Sequence, residues 1–172
     1  GICGTELTFP LGDCSSRYRA NAYFALLFRG ALLWKCNLMR TYAIGDIHGQ
    51  LDKLKSVHGL IEADKAEHGG HDAPVVHLGD LVDRGPDVKG VMDYLIAGRA
   101  ANAPWVFILG NHDRMMRKFL MPEPQPDPLR GDLHWLIAPI GGRKSLDSYG
   151  VNTDEDRPID DLHQEARANA PP

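Results

Sequence analysis

The chain has 172 residues, of which 43% are hydrophobic, and its formal net charge is −4. This size and composition predict one ordinary globular domain, or part of a larger one, and the acidic balance argues against a nucleic-acid partner. No apolar run approaches the roughly 18 residues that cross a bilayer, and three irregularly spaced cysteines match neither a disulfide framework nor a zinc site. We therefore expect a cytoplasmic protein that has no membrane partner.

The first 38 residues differ from the rest of the chain. They contain all three cysteines, carry a net charge of +2 (four Arg or Lys against two Asp or Glu), and show no steady helical or alternating period. A regular pattern begins at Met39, which is a plausible natural start. We expect residues 1–38 to be an atypical extension of non-native or upstream sequence, with a genuine N-terminal extension as the alternative, and residues 39–172 to form the domain.

From Met39 onward, short apolar runs alternate with segments of helical periodicity. The apolar runs predict strands and the periodic segments predict helices. The predicted strands are residues 41–46, 74–80 and 104–111, and the helices that follow them are residues 50–65, 87–100 and 112–121. Strands that alternate with helices of this length predict βαβ units and a parallel sheet.

The remainder of the chain carries weaker signals. Four prolines between Pro122 and Pro128 predict an exposed loop or a rigid connection. Residues 132–150 (DLHWLIAPIGGRKSLDSYG) predict a short helix, a turn and a second short helix. The tail from Val151 is polar, and no element is predicted there.

Polar side chains that can take part in chemistry follow each predicted strand. The first strand ends in GDIHG, the second in GDLVDRG and the third in GNHD. In an open parallel sheet, ligands bind outside the carboxyl ends of the strands, where successive βα loops meet. We therefore expect one shared site that contains Asp46, His48, Asp80, Asp83, Arg84, Asn111, His112 and Asp113.

Carboxylates and imidazoles of this kind are typical ligands of Mn²⁺, Fe and Zn²⁺. A carboxylate such as Asp80 can bridge two cations about 3.5–4 Å apart, which is the spacing of two-metal phosphate hydrolysis. The planar guanidinium of Arg84 matches two phosphate oxygens, and the flanking glycines allow sharp turns and close backbone approach. The three strand ends together indicate a metal-dependent phosphoester hydrolase.

The blocks GDIHG, GDLVDRG and GNHD closely resemble the signature blocks of the calcineurin-like metallophosphoesterases. GDLVDRG together with GGRKSLDSYG is most similar to the bacterial branch of the phosphoprotein phosphatases, which are serine/threonine phosphatases. The resemblance covers about residues 39–150. It implies an α/β fold, namely the first βαβαβ half of a four-layer α/β/β/α sandwich, with metal ligands at the C-terminal ends of parallel strands.

Carried over to this sequence, the resemblance implies four metal ligands. Asp46 and His48 would bind the first metal, Asp80 would bridge both metals, and Asn111 would bind the second. The cofactors would be two divalent metal ions, with Mn²⁺ as the first choice and Fe or Zn²⁺ as alternatives.

The resemblance also implies three catalytic residues. His112 would be the general acid that protonates the leaving group, Asp83 would hydrogen-bond and orient that imidazole, and Arg84 would bind the phosphoryl oxygens. A hydroxide that bridges the two metals would attack phosphorus in line, without a phosphoenzyme.

Part of the family pattern does not occur in this chain. A His-Gly or His-Ala-Gly block, a Gly-His-Thr block and a further phosphate-binding arginine are missing. We expect the remaining histidines to be surface, strand or loop-packing residues; they are His58, His68, His71, His77, His134 and His163. The resemblance thus implies truncation at the C-terminus, an exposed apolar sheet face, and weak or no turnover of p-nitrophenyl phosphate by these 172 residues alone.

Three functional hypotheses follow. The first is a serine/threonine protein phosphatase, whose partner is a phosphorylated protein or a small phosphoester. The alternative within the same superfamily is symmetrical diadenosine tetraphosphate hydrolysis, because that related family has nearly identical metal blocks. The third, from another class, is an inactive truncated fragment or a non-catalytic binding module.

Overall fold

The computed structural model describes residues 40–170, in which strands and helices alternate from the start. The predicted extension over residues 1–38 lies outside the described residues. The βα units comprise β1 (Tyr42–Ile44), α1 (Leu51–His68), β2 (Val75–His77), α2 (Val88–Ala100), β3 (Trp105–Phe107) and α3 (Asn111–Phe119). The strands pair in parallel in the order β1-β2-β3. The predicted α/β class and parallel sheet are therefore confirmed.

The strands are shorter than the apolar runs predicted. Each has three residues, and the last residues of every predicted strand form the loop that leaves the sheet. Those loop residues include most of the predicted site. At the end of β2, Gly79 and Asp80 have φ angles of 99° and 51°, which a strand cannot contain.

The two faces of the sheet differ in burial. Parallel strands joined by right-handed crossovers in the order β1-β2-β3 place both helices, α1 and α2, on one face. Val75 and His77 point toward that face and are 1% and 0% exposed. Val106 and Ile108, which point the opposite way, are about half exposed (47% and 48%). The opposite face therefore displays apolar side chains, as the sequence predicted.

Helix α1 buries one face, which consists of Leu54, His58, Ile61 and Lys65. Leu60 is 71% exposed, whereas His58 is only 6% exposed. The His58 ring contacts His77 (Nε2 to Nε2, 3.0 Å) and the hydroxyl of Tyr94 (2.8 Å). The expectation that His58 is a surface residue was wrong, because its polar atoms find partners inside the helix–sheet layer. Burial, followed by the nearby His77, lowers the pKa of His58 to about 4.

Two further helices complete the described chain, α4 (Gly142–Ser148) and α5 (Ile159–Asn169). Of the two short helices predicted within residues 132–150, only α4 forms, and the segment before it consists of turns. Helix α5 was not predicted. It buries Leu162 and Ala166 completely. This apolar stripe is narrow and most neighbouring residues are polar, so the sequence shows no clear helical periodicity there.

The proline-rich segment is a loop, as predicted, and an ion pair holds it against α3. Arg114 donates from Nε and Nη2 to the buried carboxylate of Asp127 at 2.6 and 3.1 Å. Asp127 also accepts hydrogen bonds from the backbone of Leu129 and Arg130.

None of the helices within residues 40–170 combines the length and apolarity that a membrane span needs.

Candidate functional site

The loops after β1 and β2 are joined through their backbones. The carbonyl of Asp80 accepts hydrogen bonds from the N–H groups of both Ile47 (3.0 Å) and His48 (2.9 Å). The loop after β3 approaches equally closely, because a Cβ added at Gly110 would collide with the backbone and carboxylate of Asp80. Glycine at 110 is therefore required by contact between loops, and the three strand ends converge as predicted.

The carboxylate of Asp113 ties two of these loops together. It accepts hydrogen bonds from the backbone N–H groups of Asp80 (2.8 Å), Leu81 (2.8 Å) and Gly110 (2.9 Å). Both of its oxygens are thereby occupied, so Asp113 positions the site and is not available as a metal ligand. Its place in the first turn of α3 is also favourable, because carboxylates stabilise helix N-termini.

Four of the predicted site residues have left-handed backbone conformations. Their φ angles are 44° at His48, 51° at Asp80, 73° at Asp83 and 63° at Arg84. Residues other than glycine rarely adopt positive φ, and such strain concentrates at functional sites. The turns that end the strands are thus made partly by the site residues themselves, in addition to the glycines between them.

Three side chains form a cluster that fits a divalent cation. His48, Asp80 and His112 each present one ligand atom, and these atoms all lie within 4.8 Å of one another. His48 Nδ1 is 2.8 Å from the carbonyl of Val82. Because a carbonyl can only accept, Nδ1 carries the proton and Nε2 presents a lone pair, which is the arrangement of a metal-binding histidine.

The other two predicted metal ligands, Asp46 and Asn111, are not among these three donors. The Asp46 carboxylate is 70% exposed and its Oδ2 lies 3.9 Å from His48 Nε2. Asn111 is an exposed residue that begins α3, one position before His112. The three gathered donors could hold a cation, and they include His112, which the resemblance assigned to catalysis.

Arg84 points its charge at the same cluster. Its Nη1 lies 3.0 Å from His48 Nε2, as a donor to the imidazole lone pair, and its side chain is exposed. The guanidinium of Arg84 thus lies next to a ligand atom of the cluster. An exposed guanidinium at this position can reach the oxygens of a phosphoryl group bound beside the cluster.

A buried carboxylate holds the imidazole of His112. Asp83 is 0% exposed, and its Oδ2 lies 2.7 Å from His112 Nδ1. The same carboxylate accepts from Trp135 Nε1 at 2.9 Å and from Ser145 Oγ at 2.6 Å. With Nδ1 engaged by Asp83, only Nε2 of His112 is left to face the cluster. The predicted contact between Asp83 and His112 is present.

Trp135 and Ser145 contact the Asp83 carboxylate, and the sequence did not reveal either contact. Trp135 is separated from Asp83 by 52 residues and Ser145 by 62. Ser145 lies within GGRKSLDSYG, the block that resembles the phosphoprotein phosphatases, but the resemblance assigned it no role, and Trp135 lies before that block.

Two histidines later in the chain stay away from the cluster, as expected. His134 is exposed and its Nδ1 accepts from the backbone N–H of Leu136. His163 packs against Phe119 and lies 2.9 Å from the carbonyl of Met121. Both therefore stabilise loops and contribute no ligand to the cluster.

The chain is similar over part of its length to bacterial proteins called symmetrical bis(5'-nucleosyl)-tetraphosphatase. The protein of Serratia proteamaculans (strain 568) is 39% identical over 75 residues, which is 44% of this chain and 24% of that protein. The protein of Methylobacillus flagellatus is 37% identical over 75 residues, again 44% of this chain and 24% of the relative. The chain thus spans about a quarter of the length of these relatives.

A broader similarity covers almost the whole described region. The family model described as calcineurin-like phosphoesterase matches residues 39–172. This match begins where the regular sequence pattern begins and includes all three strand-end loops. Together with the cluster of His48, Asp80 and His112, it establishes that the chain belongs to the calcineurin-like phosphoesterase family.

Proposed function

We propose that this protein takes part in hydrolysis of a dinucleoside polyphosphate, with a symmetrical dinucleoside tetraphosphate as its substrate. The observation that carries phosphoester chemistry is the convergence of His48, Asp80 and His112 beside Arg84. The choice of substrate rests on the relatives, which are named as symmetrical tetraphosphatases. Their names favour this substrate over the phosphoserine or phosphothreonine protein that the sequence pattern placed first.

The proposed metal ligands are those of the sequence analysis, and Mn²⁺ is the proposed cation. Asp46, His48 and Asp80 would hold one ion, and Asp80 and Asn111 a second. When bound, such ions supply Lewis-acid stabilisation of the transferring phosphoryl group and a water activated for attack. In support, His48 Nδ1 is engaged by the carbonyl of Val82, which leaves Nε2 as the ring nitrogen with a lone pair, and a ligand atom of His48 lies within 4.8 Å of one of Asp80.

The remaining roles belong to this chain's own side chains. Arg84 would bind phosphoryl oxygens and offset the negative charge of the phosphate. His112 would donate a proton from Nε2 to the departing oxygen, because its Nδ1 proton is held by Asp83 at 2.7 Å. Trp135 and Ser145 would keep the Asp83 carboxylate in the orientation that this contact requires.

Symmetrical hydrolysis has a defined balance. The oxygen of water bonds to one of the two central phosphorus atoms, the bridging P–O bond between those atoms breaks, and the bridging oxygen leaves with the other half. Diadenosine tetraphosphate plus water therefore yields two molecules of ADP. Attack at any other phosphorus would instead yield ATP and AMP.

The experiment follows nucleotide products under single-turnover conditions, with the purified 172-residue chain in excess over diadenosine tetraphosphate and Mn²⁺ present. We expect ADP as the sole nucleotide product, and loss of the reaction in Asp80→Asn. His68→Asn, at an exposed histidine of α1, is the matched control and should leave the rate unchanged. Appearance of ATP and AMP, or faster release of phosphate from a phosphoserine peptide than of ADP, would contradict the proposed substrate.

A further inference from the structure

A cavity of about 530 Å³ lies beside Arg84, outside the cluster of His48, Asp80 and His112. Arg84 forms part of its wall together with two further cationic residues, Arg143 and Lys144. Leu136 and Ile137 supply an apolar wall, and Glu155 is the one acidic residue among those that line it. The volume falls within the range of about 300–1,000 Å³ that is typical of small-molecule sites.

The segment that carries Arg143 and Lys144 is fixed against the site. Gly141 has a φ of 89°, and a Cβ added there would lie 2.8 Å from the backbone nitrogen of Arg84. Four residues later, the Ser145 hydroxyl donates to Asp83. Residues 141 and 145 therefore contact the GDLVDRG loop directly, which holds the two cations between them next to the phosphoryl-binding arginine.

The cavity is positively charged overall. Three cationic side chains line it against one carboxylate. Within residues 40–170, neither Arg143 nor Lys144 forms an ion pair. The guanidinium of Arg143 donates to the carbonyls of Thr153 (2.8 Å) and Asp154 (3.1 Å), which orients it without neutralising it. Such a cavity favours an anionic ligand.

We propose that this cavity binds one nucleoside diphosphate half of the substrate, with Arg143 and Lys144 contacting the phosphates beyond the scissile bond and Ile137 packing against the nucleoside. The inference rests on the proposed hydrolysis of a dinucleoside polyphosphate at the adjoining cluster. A ligand that was only an anion would leave the apolar wall unused, and a purely apolar ligand would leave the cations unpaired. A nucleotide has both an anionic and an apolar part.

The test is calorimetric titration of the purified chain with ADP, pyrophosphate and adenosine, because binding can be measured whether or not the chain turns over. We expect ADP to bind more tightly than either fragment. Lys144→Ala, at an exposed position, should weaken ADP and pyrophosphate alike by about tenfold, the usual effect of losing one charged hydrogen bond. Ile137→Asn should weaken ADP by about threefold or more and leave pyrophosphate unchanged.

Lys53→Ala removes the same charge from an exposed position of α1 that does not line the cavity, and it should leave all three affinities unchanged. The inference is overturned if ADP does not bind, if it binds no more tightly than pyrophosphate, or if Lys144→Ala behaves like Lys53→Ala. If ADP binding and both variants behave as expected while diadenosine tetraphosphate is not hydrolysed, the proposed function fails and the nucleotide site stands.

Discussion

The indole Nε1 of Trp135 donates a hydrogen bond to the Asp83 carboxylate at 2.9 Å, and both side chains are buried. The same carboxylate receives Ser145 Oγ and His112 Nδ1. A carboxylate with no exposed surface loses its solvation by water, so these three donors are what stabilise its charge. The contact therefore links a turn late in the chain to the orientation of the His112 imidazole.

Replacing Trp135 tests this link. Trp135→Phe keeps an aromatic ring but removes the donor, and we expect the free energy of unfolding to fall by about 1–3 kcal/mol, with a lower single-turnover rate. Urea denaturation followed by circular dichroism measures the first effect. Trp105→Phe is the control, because no hydrogen bond from the Trp105 indole occurs within residues 40–170. Equal rates in the two variants would contradict the positioning role of Trp135.

Asp113 offers a second test, because its carboxylate holds three backbone N–H groups from two loops. Asp113→Ala leaves those donors without their partner, and we expect the free energy of unfolding to fall by about 2–4 kcal/mol. Asp93→Ala, which breaks an exposed ion pair with Lys89 on α2, should change it by less than about 1 kcal/mol. Similar losses in the two variants, measured by urea denaturation, would show that the Asp113 contacts do not stabilise the loops.

Metal binding should be visible as thermal stabilisation. A ligand that binds only the folded state raises the midpoint of unfolding, so Mn²⁺ should raise the Tm of the wild-type chain. His48→Ala and Asp80→Asn should each abolish most of that rise, since the first removes one of the three gathered donors and the second removes the negative charge of another. His68→Ala should retain the full shift. A rise of equal size in all four proteins would place the bound Mn²⁺ somewhere other than this cluster.

The role of His112 predicts a dependence on the leaving group. General acid catalysis helps most when the departing oxygen is strongly basic. We therefore expect His112→Asn to lower the rate of phenyl phosphate hydrolysis by about 10²-fold or more, and to lower that of p-nitrophenyl phosphate much less, because nitrophenolate is a weaker base. An equal loss on both substrates would instead assign His112 to metal or substrate binding, which its place in the cluster also allows.

The buried pair of His58 and His77 predicts acid sensitivity. Burial, then the neighbouring His77, lowers the pKa of His58 from 6.5 to about 4, with Glu62 opposing and Lys65 reinforcing the shift. Burial also lowers the pKa of His77. As the pH falls from about 6.5 toward 4, the unfolded chain binds protons that the folded chain does not. Stability is therefore full above this window and decreases by an amount on the order of 1–3 kcal/mol within it.

Urea denaturation at pH 7, 6 and 5 measures this effect. His58→Leu should make the free energy of unfolding depend less on pH, because it removes a group that titrates in this window. The variant is also expected to be less stable at every pH, because the Tyr94 hydroxyl loses its hydrogen-bond partner. His71→Leu, at an exposed histidine, should leave the slope unchanged. The Arg114 hydrogen bond lowers the pKa of Asp127. Carboxylates of this kind stop contributing to stability only at a pH below the range measured, so they do not affect the comparison between pH 7 and 5.

The sequence alone predicted the first three strands with the helices that follow them and the position of the site at the strand ends, although it did not predict α5. Both follow from local signals: apolar runs, helical periodicity, and polar residues that interrupt each run at its end. The same signals predicted that the three loops converge, because parallel strands must end at one edge of the sheet. A shared site that contains Asp80, Arg84 and His112 could therefore be predicted before any contact was known, whereas the role of His112 came from the family resemblance.

The side chains that hydrogen-bond to the site residues could be identified only from the tertiary structure. The contacts of Trp135 and Ser145 with Asp83 span 52 and 62 residues, and no periodicity along the chain encodes a contact at that distance. His58 is buried because Tyr94 and His77 satisfy its ring nitrogens from other elements. The cavity beside Arg84 likewise depends on how closely Gly141 packs against that loop. Periodicity reports which face of an element is apolar, whereas side-chain partners depend on how the elements pack in three dimensions.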